Sequence, residues 1–220
     1  MIKLETIKND SFILEILHES DNTTKTMGYT EHGLVHANIV SDLVHNLCKS
    51  FGFNEQDTEV ARVSAFLHDI GNLAGRDNHG QVGASIVTPI LLRHDVEPTE
   101  LAQIISAISN HDDLVPVISN KNCAVVMIAD KADVRRSRVR ETMTIEHIRM
   151  DIHDRVNYAV LDGKLFVENG DVKLKLTLDP EFANAADYLD IFASRTTAMR
   201  RSAQFLKHDF HLIIDGVQIY

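Results

Sequence analysis

Apolar residues recur at intervals of three and four from residue 30 to residue 155, and this spacing predicts a succession of α-helices. Capping residues, prolines and glycines divide the pattern into separate segments. Gly52 and Gly71 fall where the first two segments end, as expected for residues that stop a helix. We expect helices to begin at Thr30, at Asn54 or Asp57, at Asn78, at Pro98 and near Asn122, with a further helical stretch over residues 145–156.

The pattern changes after residue 158. Residues 164–178 alternate between apolar and polar side chains around Asn169 and Gly170, which is a strong signal for a β-hairpin. A helical pattern returns after Pro180, and residues 210–214 predict a strand that is followed by a turn at Asp215 and Gly216. The predicted fold is therefore mostly α-helical, with a helical domain over residues 1–158 and a small hairpin–helix–strand appendage over residues 159–220.

Polar side chains interrupt the apolar faces of these predicted helices. Imidazole or carboxylate groups occupy positions at which the helical spacing predicts burial: His36, His68, Asp69, His111 and Asp130. Burying such groups without partners is costly, and a lone buried carboxylate costs most. A transition-metal ion would compensate them together, because imidazole and carboxylate are ligands that suit iron, manganese, zinc and cobalt. The alternative is a buried network of hydrogen bonds.

The composition excludes several classes of protein. The 22 Lys and Arg residues stand against 32 Asp and Glu residues, and a net charge of −10 provides no bulk field that would gather nucleic acid. The apolar runs are too short to span a bilayer or to form a signal peptide. Two distant cysteines do not make a disulfide framework. We therefore expect a cytoplasmic protein without a nucleic-acid polymer or a membrane as its partner.

The order and the local sequence of the buried polar residues resemble the HD-domain superfamily of metal-dependent phosphohydrolases. Residues 66–71 (FLHDIG) resemble the His-Asp dyad motif of that family, and residues 128–131 (IADK) resemble its last-ligand motif. Residues 79–84 (HGQVGA) and 108–111 (ISNH) are similar to the branch with extra His ligands and a dinuclear metal site. The resemblance covers roughly residues 28–140. Four motifs in order are specific, whereas a His-Asp pair alone is a weak signal.

The resemblance implies an HD-type helical bundle that holds two divalent transition-metal ions, with iron, manganese, cobalt and zinc as candidates. One ion would be held by His36, His68, Asp69 and Asp130. The second would be held by His79 and His111, with Asp69 as the bridge. The family chemistry implies a metal-activated hydroxide as the nucleophile. His68 and Asp69 would lie at the catalytic centre, and His32, one turn before His36, is a candidate proton donor or a hydrogen-bond partner of a ligand.

Basic residues near the predicted ligands are candidates for substrate binding. Lys131 and Arg136 match positions beside the last ligand that are often basic in the family, and Arg76 lies in the loop after the dyad. Arginine suits phosphate recognition because its planar guanidinium offers paired donors. Asp112 and Asp113 follow His111 directly and are candidates for assisting proton transfer.

The resemblance implies hydrolysis of a phosphoester or phosphoanhydride in a small substrate, with a nucleotide as the expected class. Asn72 stands where many hydrolases of the superfamily carry Lys, which weakens the phosphate assignment but not the metal assignment. Two alternatives stay open: a mixed-valent di-iron oxygenase with the same ligand set, and a non-catalytic HD module that binds a nucleotide. The hairpin leucines are expected to serve packing or a homodimer surface: Leu174, Leu176 and Leu178.

Overall fold

The computed structural model describes residues 1–112 and 117–220, in which helices dominate and a small sheet follows them. The α-helices are α1 (Leu4–Lys8), α2 (Ser11–Thr26), α3 (Leu34–Ser50), α4 (Glu55–Leu67), α5 (His79–Leu92), α6 (Pro98–Asn110), α7 (Lys121–Ala132), α8 (Ile145–Met150), α9 (Ile152–Ala159) and α10 (Ala185–Phe205). Short 3-10 helices span Ile70–Ala74 and Arg136–Arg138. The strands are β1 (Val160–Glu168), β2 (Asp171–Leu178), β3 (Phe210–Ile214) and β4 (Val217–Gln218). The predicted fold class, a helical bundle with a small C-terminal α+β appendage, is confirmed.

Most predicted helix starts agree with the structure, but two predicted caps are wrong. Asn54 caps α4 by accepting the N–H of Asp57 at 2.8 Å. Thr30 does not begin α3, whose N-terminal amides are capped instead by the Glu31 carboxylate, which accepts the N–H of His36 at 3.1 Å. Asn78 precedes α5 in a left-handed conformation (φ 56°) and its side chain accepts no capping bond. The two N-terminal helices, α1 and α2, were not predicted.

The C-terminal sheet has the strand order β1-β2-β3-β4 and packs on the helices through α10. The hairpin of β1 and β2 turns at Asn169 and Gly170, both with positive φ, as two-residue hairpin turns require. Strand β3 lies parallel to β2, and α10 makes the crossover between them. The hairpin leucines are buried in one hydrophobic cluster that also contains residues of α3, α4 and α7. They therefore serve packing within this chain, while a homodimer and the division at residue 158 stay predictions.

Two glycines allow the dyad and the next two helices to approach one another closely. A methyl group on Gly71 would overlap the backbone oxygen of His79, and one on Gly80 would lie 2.8 Å from the backbone oxygen of Ile108. The 3-10 helix after α4 is thereby pressed against the start of α5, and α5 against the end of α6. The first residue of α5 and the residue after α6 come together at the dyad for this reason. Among the described helices, none has the length and apolar character that crossing a bilayer requires.

We predict that Gly71→Ala destabilises the protein, because the atom that the new methyl group meets is backbone and cannot rotate away. The expected loss in the free energy of unfolding is about 1–3 kcal/mol, as for other overpacked interiors, and urea denaturation measures it. Ser85→Ala, on the exposed side of α5, is the control and should change stability by less than about 0.5 kcal/mol. Equal stability of the two variants would contradict the close approach described here.

Candidate metal centre

Six buried histidines and aspartates converge from five helices onto one point of the bundle. They lie on α3, directly after α4, at the first residue of α5, directly after α6, and on α7: His36, His68, Asp69, His79, His111 and Asp130. None of them is more than 7% exposed. Four of the six stand at helix ends, where a side chain can turn into the interior without interrupting a helical stripe. The structure therefore brings together all six residues that the sequence predicted as ligands.

Four of these side chains form a first group around a common centre. The Nε2 atoms of His36 and His68 lie 3.2 Å apart, and Asp130 Oδ1 lies 3.3 Å from His36 Nε2. Asp69 Oδ2 lies 3.5 Å from His36 Nε2 and 3.3 Å from His68 Nε2. Ligands bound at about 2.0–2.2 Å from one ion lie about 3–3.5 Å from one another. The spacing of these four atoms is therefore that of a metal coordination shell.

A second group shares Asp69 with the first. The Nε2 atoms of His79 and His111 lie 3.0 Å apart. Asp69 Oδ1, the other oxygen of the same carboxylate, lies 3.3 Å from His79 Nε2 and 3.6 Å from His111 Nε2. Each oxygen of Asp69 therefore faces a different pair of imidazoles, as a bridging carboxylate does.

The hydrogen bonds at the other ring nitrogen fix which nitrogen faces the centre. The Nδ1 atoms of His68, His79 and His111 lie 2.6–2.8 Å from backbone carbonyl oxygens, which can only accept. His36 Nδ1 donates in the same way to Asp133 Oδ2 at 2.6 Å. Neutral imidazoles held like this carry their lone pair on Nε2. In their neutral form these imidazoles would therefore point two pairs of Nε2 lone pairs at each other at about hydrogen-bond distance, an arrangement that a proton or a cation between them would stabilise.

The pKa shifts within the group also indicate that it needs added positive charge. Burial lowers the pKa of His68, but the neighbouring carboxylates of Asp69 and Asp130 outweigh burial and raise it to about 10. Burial raises the pKa of Asp69, yet His68, His111 and His79 hold it well below its usual range. Without a metal, protons on imidazoles would have to balance the carboxylates. These residues therefore fit a divalent transition metal in ligand type, spacing and charge.

Two of the three predicted substrate-binding residues lie at the edge of this group. Lys131 is buried and contacts Asp112 and, at 2.9 Å, Asp130 Oδ2. Arg76 donates to Asp112 Oδ2 at 3.0 Å and to Asn72 Oδ1 at 3.0 Å, and lies 3.4 Å from Asp69 Oδ1. Asn72 occupies the position where many superfamily members carry Lys, and by accepting from Arg76 it holds this arginine beside the ligand group. Asp113, predicted together with Asp112 as a proton-transfer group, lies outside the described residues.

Arg136, the third predicted substrate-binding residue, is not brought to the ligand group. Its guanidinium donates to the backbone oxygen of Tyr158 and to Asp179 at 3.2 Å, and stacks on the Tyr158 ring at 4.4 Å. These partners lie at the junction of α9 with the sheet. Arg136 points to the appendage, a direction that the sequence pattern around residue 136 does not reveal, and its role in substrate binding stays a prediction.

A network behind His36 was missed at the sequence level. Asp133, which accepts from His36, also accepts from Arg135 Nε at 2.9 Å. Arg135 in turn reaches Glu31, and the buried Arg138 donates to the backbone oxygens of Glu31 and Asp133. The spacing of Asp133 three residues after Asp130 is the one signal that could have identified it. Arg135 and Arg138 thus hold Asp133, which in turn orients the candidate ligand His36.

His32 lines a cavity of about 300 Å³ beside the ligand group. Its Nδ1 donates to the Thr30 carbonyl oxygen at 2.6 Å, and its ring centroid lies 5.7 Å from that of His36. Burial, together with Arg138, holds the pKa of His32 well below its usual value. The ring is therefore neutral with an accepting Nε2, which favours a proton acceptor over the predicted proton donor.

Comparison with known proteins identifies the part of the chain that carries this group. A family model described as HD domain matches residues 33–135. The chain is also 27% identical over 194 residues to the uncharacterized protein MJ1020 of Methanocaldococcus jannaschii, and this alignment covers 79% of the present chain and 73% of that protein. The matched segment contains all six converging residues and Asp133.

We predict that His36→Ala and His79→Ala each lower the metal content of protein reconstituted with Mn²⁺ or Co²⁺. His79→Ala should retain the ion of the first group, because its ligands remain, and elemental analysis after gel filtration measures the difference. His45→Ala is the control, since His45 lies on α3 with His36 but is exposed. Wild-type protein that binds no more metal than His36→Ala would contradict the assignment.

We further predict that Asp133→Asn weakens metal binding about 10–100-fold, because the neutral amide no longer raises the basicity of His36. Competition with a chelating dye measures the dissociation constant. The matched variant is Asp42→Asn, on the exposed side of α3. Equal affinity of the two variants would show that Asp133 does not act through His36.

Proposed function

Residues 33–135 of the chain belong to the HD-domain superfamily, and on this premise we propose that the protein is a metal-dependent phosphohydrolase. The proposed reaction cleaves a phosphoester or phosphoanhydride of a small substrate. A nucleotide is the proposed substrate class, and the proposed location is cytoplasmic, without a nucleic-acid polymer or a membrane as partner.

One observation carries the proposal. Asp69 presents one oxygen to His36 and His68 and the other to His79 and His111. A single buried carboxylate between two pairs of accepting imidazoles fits two neighbouring cations better than it fits a hydrogen-bond network, because such a network needs a donor for every acceptor. Buried groups of this kind beside a cavity are typical of functional sites.

The residues of this chain would divide the work as follows. Bound divalent cations would supply Lewis acidity, lowering the pKa of water and neutralising the charge of phosphoryl oxygens. The six converging side chains would hold them, with Asp69 as the bridge. Lys131 and Arg76 carry positive charge at the edge of the group, where they would face a phosphate. Both are engaged by Asp112, which keeps these two side chains in place and leaves their remaining donors for the substrate.

His32 would take part as a proton acceptor in the cavity wall. Its Nδ1 hydrogen is committed to Thr30, so that Nε2 accepts a hydrogen bond from a water molecule or from the substrate. A neutral imidazole at this position carries no proton to donate from Nε2. We therefore infer that His32 orients the water molecule or the substrate group that donates a hydrogen bond to it.

A second candidate function follows from the same ligand set. Six histidines and aspartates with one bridging carboxylate also suit a mixed-valent di-iron oxygenase. First ligands alone do not separate the two reactions, whereas dependence on dioxygen does. A non-catalytic nucleotide-binding module is the remaining alternative and predicts binding without turnover.

We predict that purified protein with Mn²⁺, Co²⁺ or Fe²⁺ releases phosphate or nucleotide from a phosphomonoester, a cyclic dinucleotide or a dinucleoside tetraphosphate, at a rate that removal of dioxygen leaves unchanged. Asp69→Ala should abolish the release, because both proposed ions lose a ligand. His45→Ala is the control. Activity that survives Asp69→Ala would come from elsewhere, and activity that requires both iron and dioxygen would favour the oxygenase.

A further inference from the structure

The cavity beside the ligand group is walled on its far side by residues outside the matched family segment. Besides His32 and Arg76, which border the ligand group, its lining includes Asp154 and Asn157 on α9 and Phe192 and Arg195 on α10. Helix α10 belongs to the C-terminal hairpin–helix–strand region, for which no role follows from the metal-binding residues. The cavity joins that region to the candidate metal centre.

Several polar groups in this wall have no partner within residues 1–112 and 117–220. The Asp154 side chain, in a residue only 7% exposed, accepts no hydrogen bond from those residues. The buried Oδ1 of Asn157 is unpartnered, while its Nδ2 is held by the backbone oxygen of His153. His32 Nε2 is likewise without a protein donor. Of these three acceptors, Asn157 Oδ1 is buried away from solvent, whereas the Asp154 carboxylate and His32 Nε2 are open to the cavity, where a ligand or water can donate to them.

Arg195 adds a donor to these acceptors. Its guanidinium carbon lies 4.6 Å from the centre of the Phe192 ring, and among the described residues no carboxylate pairs with it. Other arginines near the metal centre are tied to acidic residues, as Arg76 is to Asp112 and Arg135 to Glu31. Arg195 is thus half-buried and held over an aromatic ring, and no described carboxylate engages its donors.

This arrangement matches the chemistry of a polyol. A hydroxyl group donates one hydrogen bond and accepts others, so neighbouring hydroxyls can donate to Asp154 and His32 and accept from Arg195. An alkyl group could not donate to these acceptors. A second phosphate would be repelled by the carboxylates of Asp151 and Asp154, which also line the cavity. A volume of about 300 Å³ is at the small end of ligand pockets and suits one sugar ring.

We propose that this cavity binds the hydroxyl-bearing part of the substrate, a ribose or similar sugar that carries the phosphate, and that Asp154 and Arg195 determine this specificity. The part of the inference that concerns the reacting phosphate rests on the proposed function. The binding of the sugar does not depend on that function. The C-terminal region thereby acquires a role, because α10 supplies the donor side of the sugar site.

Binding without chemistry is the first test. Saturation-transfer NMR on chelator-treated protein, with ribose 5-phosphate as the probe, should show contact with the sugar protons. The signal should be lost in Asp154→Asn and in Arg195→Gln. It should persist in the matched variants Asp190→Asn and Arg201→Gln, which replace exposed residues of α10. Circular dichroism and the urea midpoint confirm that each variant is folded.

Kinetics provide the second test. The same two variants should lower kcat/KM for ribose 5-phosphate by about tenfold or more, as expected for a lost hydrogen bond to a charged group. They should leave kcat/KM for p-nitrophenyl phosphate within about twofold, because that substrate offers no hydroxyl donors.

The outcomes separate this inference from the proposed function. Sugar contact that depends on Asp154 and Arg195 supports the cavity assignment even if no phosphate is released from any substrate. Wild-type protein that shows no sugar contact, or variants that bind and turn over ribose 5-phosphate like the wild type, would overturn it. Hydrolysis of p-nitrophenyl phosphate in that case would leave the proposed function standing.

Discussion

The interior of this bundle is organised by the need to neutralise lone pairs and carboxylates that face one another away from water. Two pairs of imidazole Nε2 atoms and two carboxylates lie within about hydrogen-bond distance of each other, and the Nδ1 hydrogens already have other acceptors. A buried arrangement of this kind is unfavourable without added positive charge, whether it comes from protons or from cations. Since both pairs use the same bridging residue, Asp69, the two groups depend on one another.

Helix ends allow these polar side chains to meet at one point of the interior. A residue in the middle of a helix points along a direction set by its neighbours, whereas a residue at an end can turn inward where the backbone changes course. His68, Asp69, His79 and His111 all use such positions, and close contact between the backbones at Gly71 and Gly80 brings those ends together. The geometry of the candidate metal centre is therefore a consequence of how the helices meet, which explains why small residues stand at these crossings.

The sequence predicted well which polar side chains converge and predicted their surroundings poorly, and the reason is physical. A histidine or an aspartate on an apolar stripe is visible in the pattern, because burial without compensation is costly. Asp133, Arg135 and Arg138 carry no such mark, since charged residues after a helix are ordinary on a surface. The direction of Arg136 depends on contacts with Tyr158 and Asp179, distant in sequence. Helix α3 begins later than predicted because Glu31, a residue outside the helix, caps it.

The distribution of arginines indicates how an acidic chain can still receive an anion. Most arginines around the centre are paired with carboxylates, as Arg140 is with Asp21 and Arg135 with Glu31, so they hold loops together and add little net positive charge. Attraction for the proposed phosphate would then come from cations at the candidate centre and not from the protein surface. Arg195 differs from these arginines because it is placed by an aromatic ring and not by a carboxylate. Its donors are left for a ligand, and this is why part of the proposed specificity would reside on α10, beside Asp154 on α9, while the charge that would attract the substrate resides in the bundle.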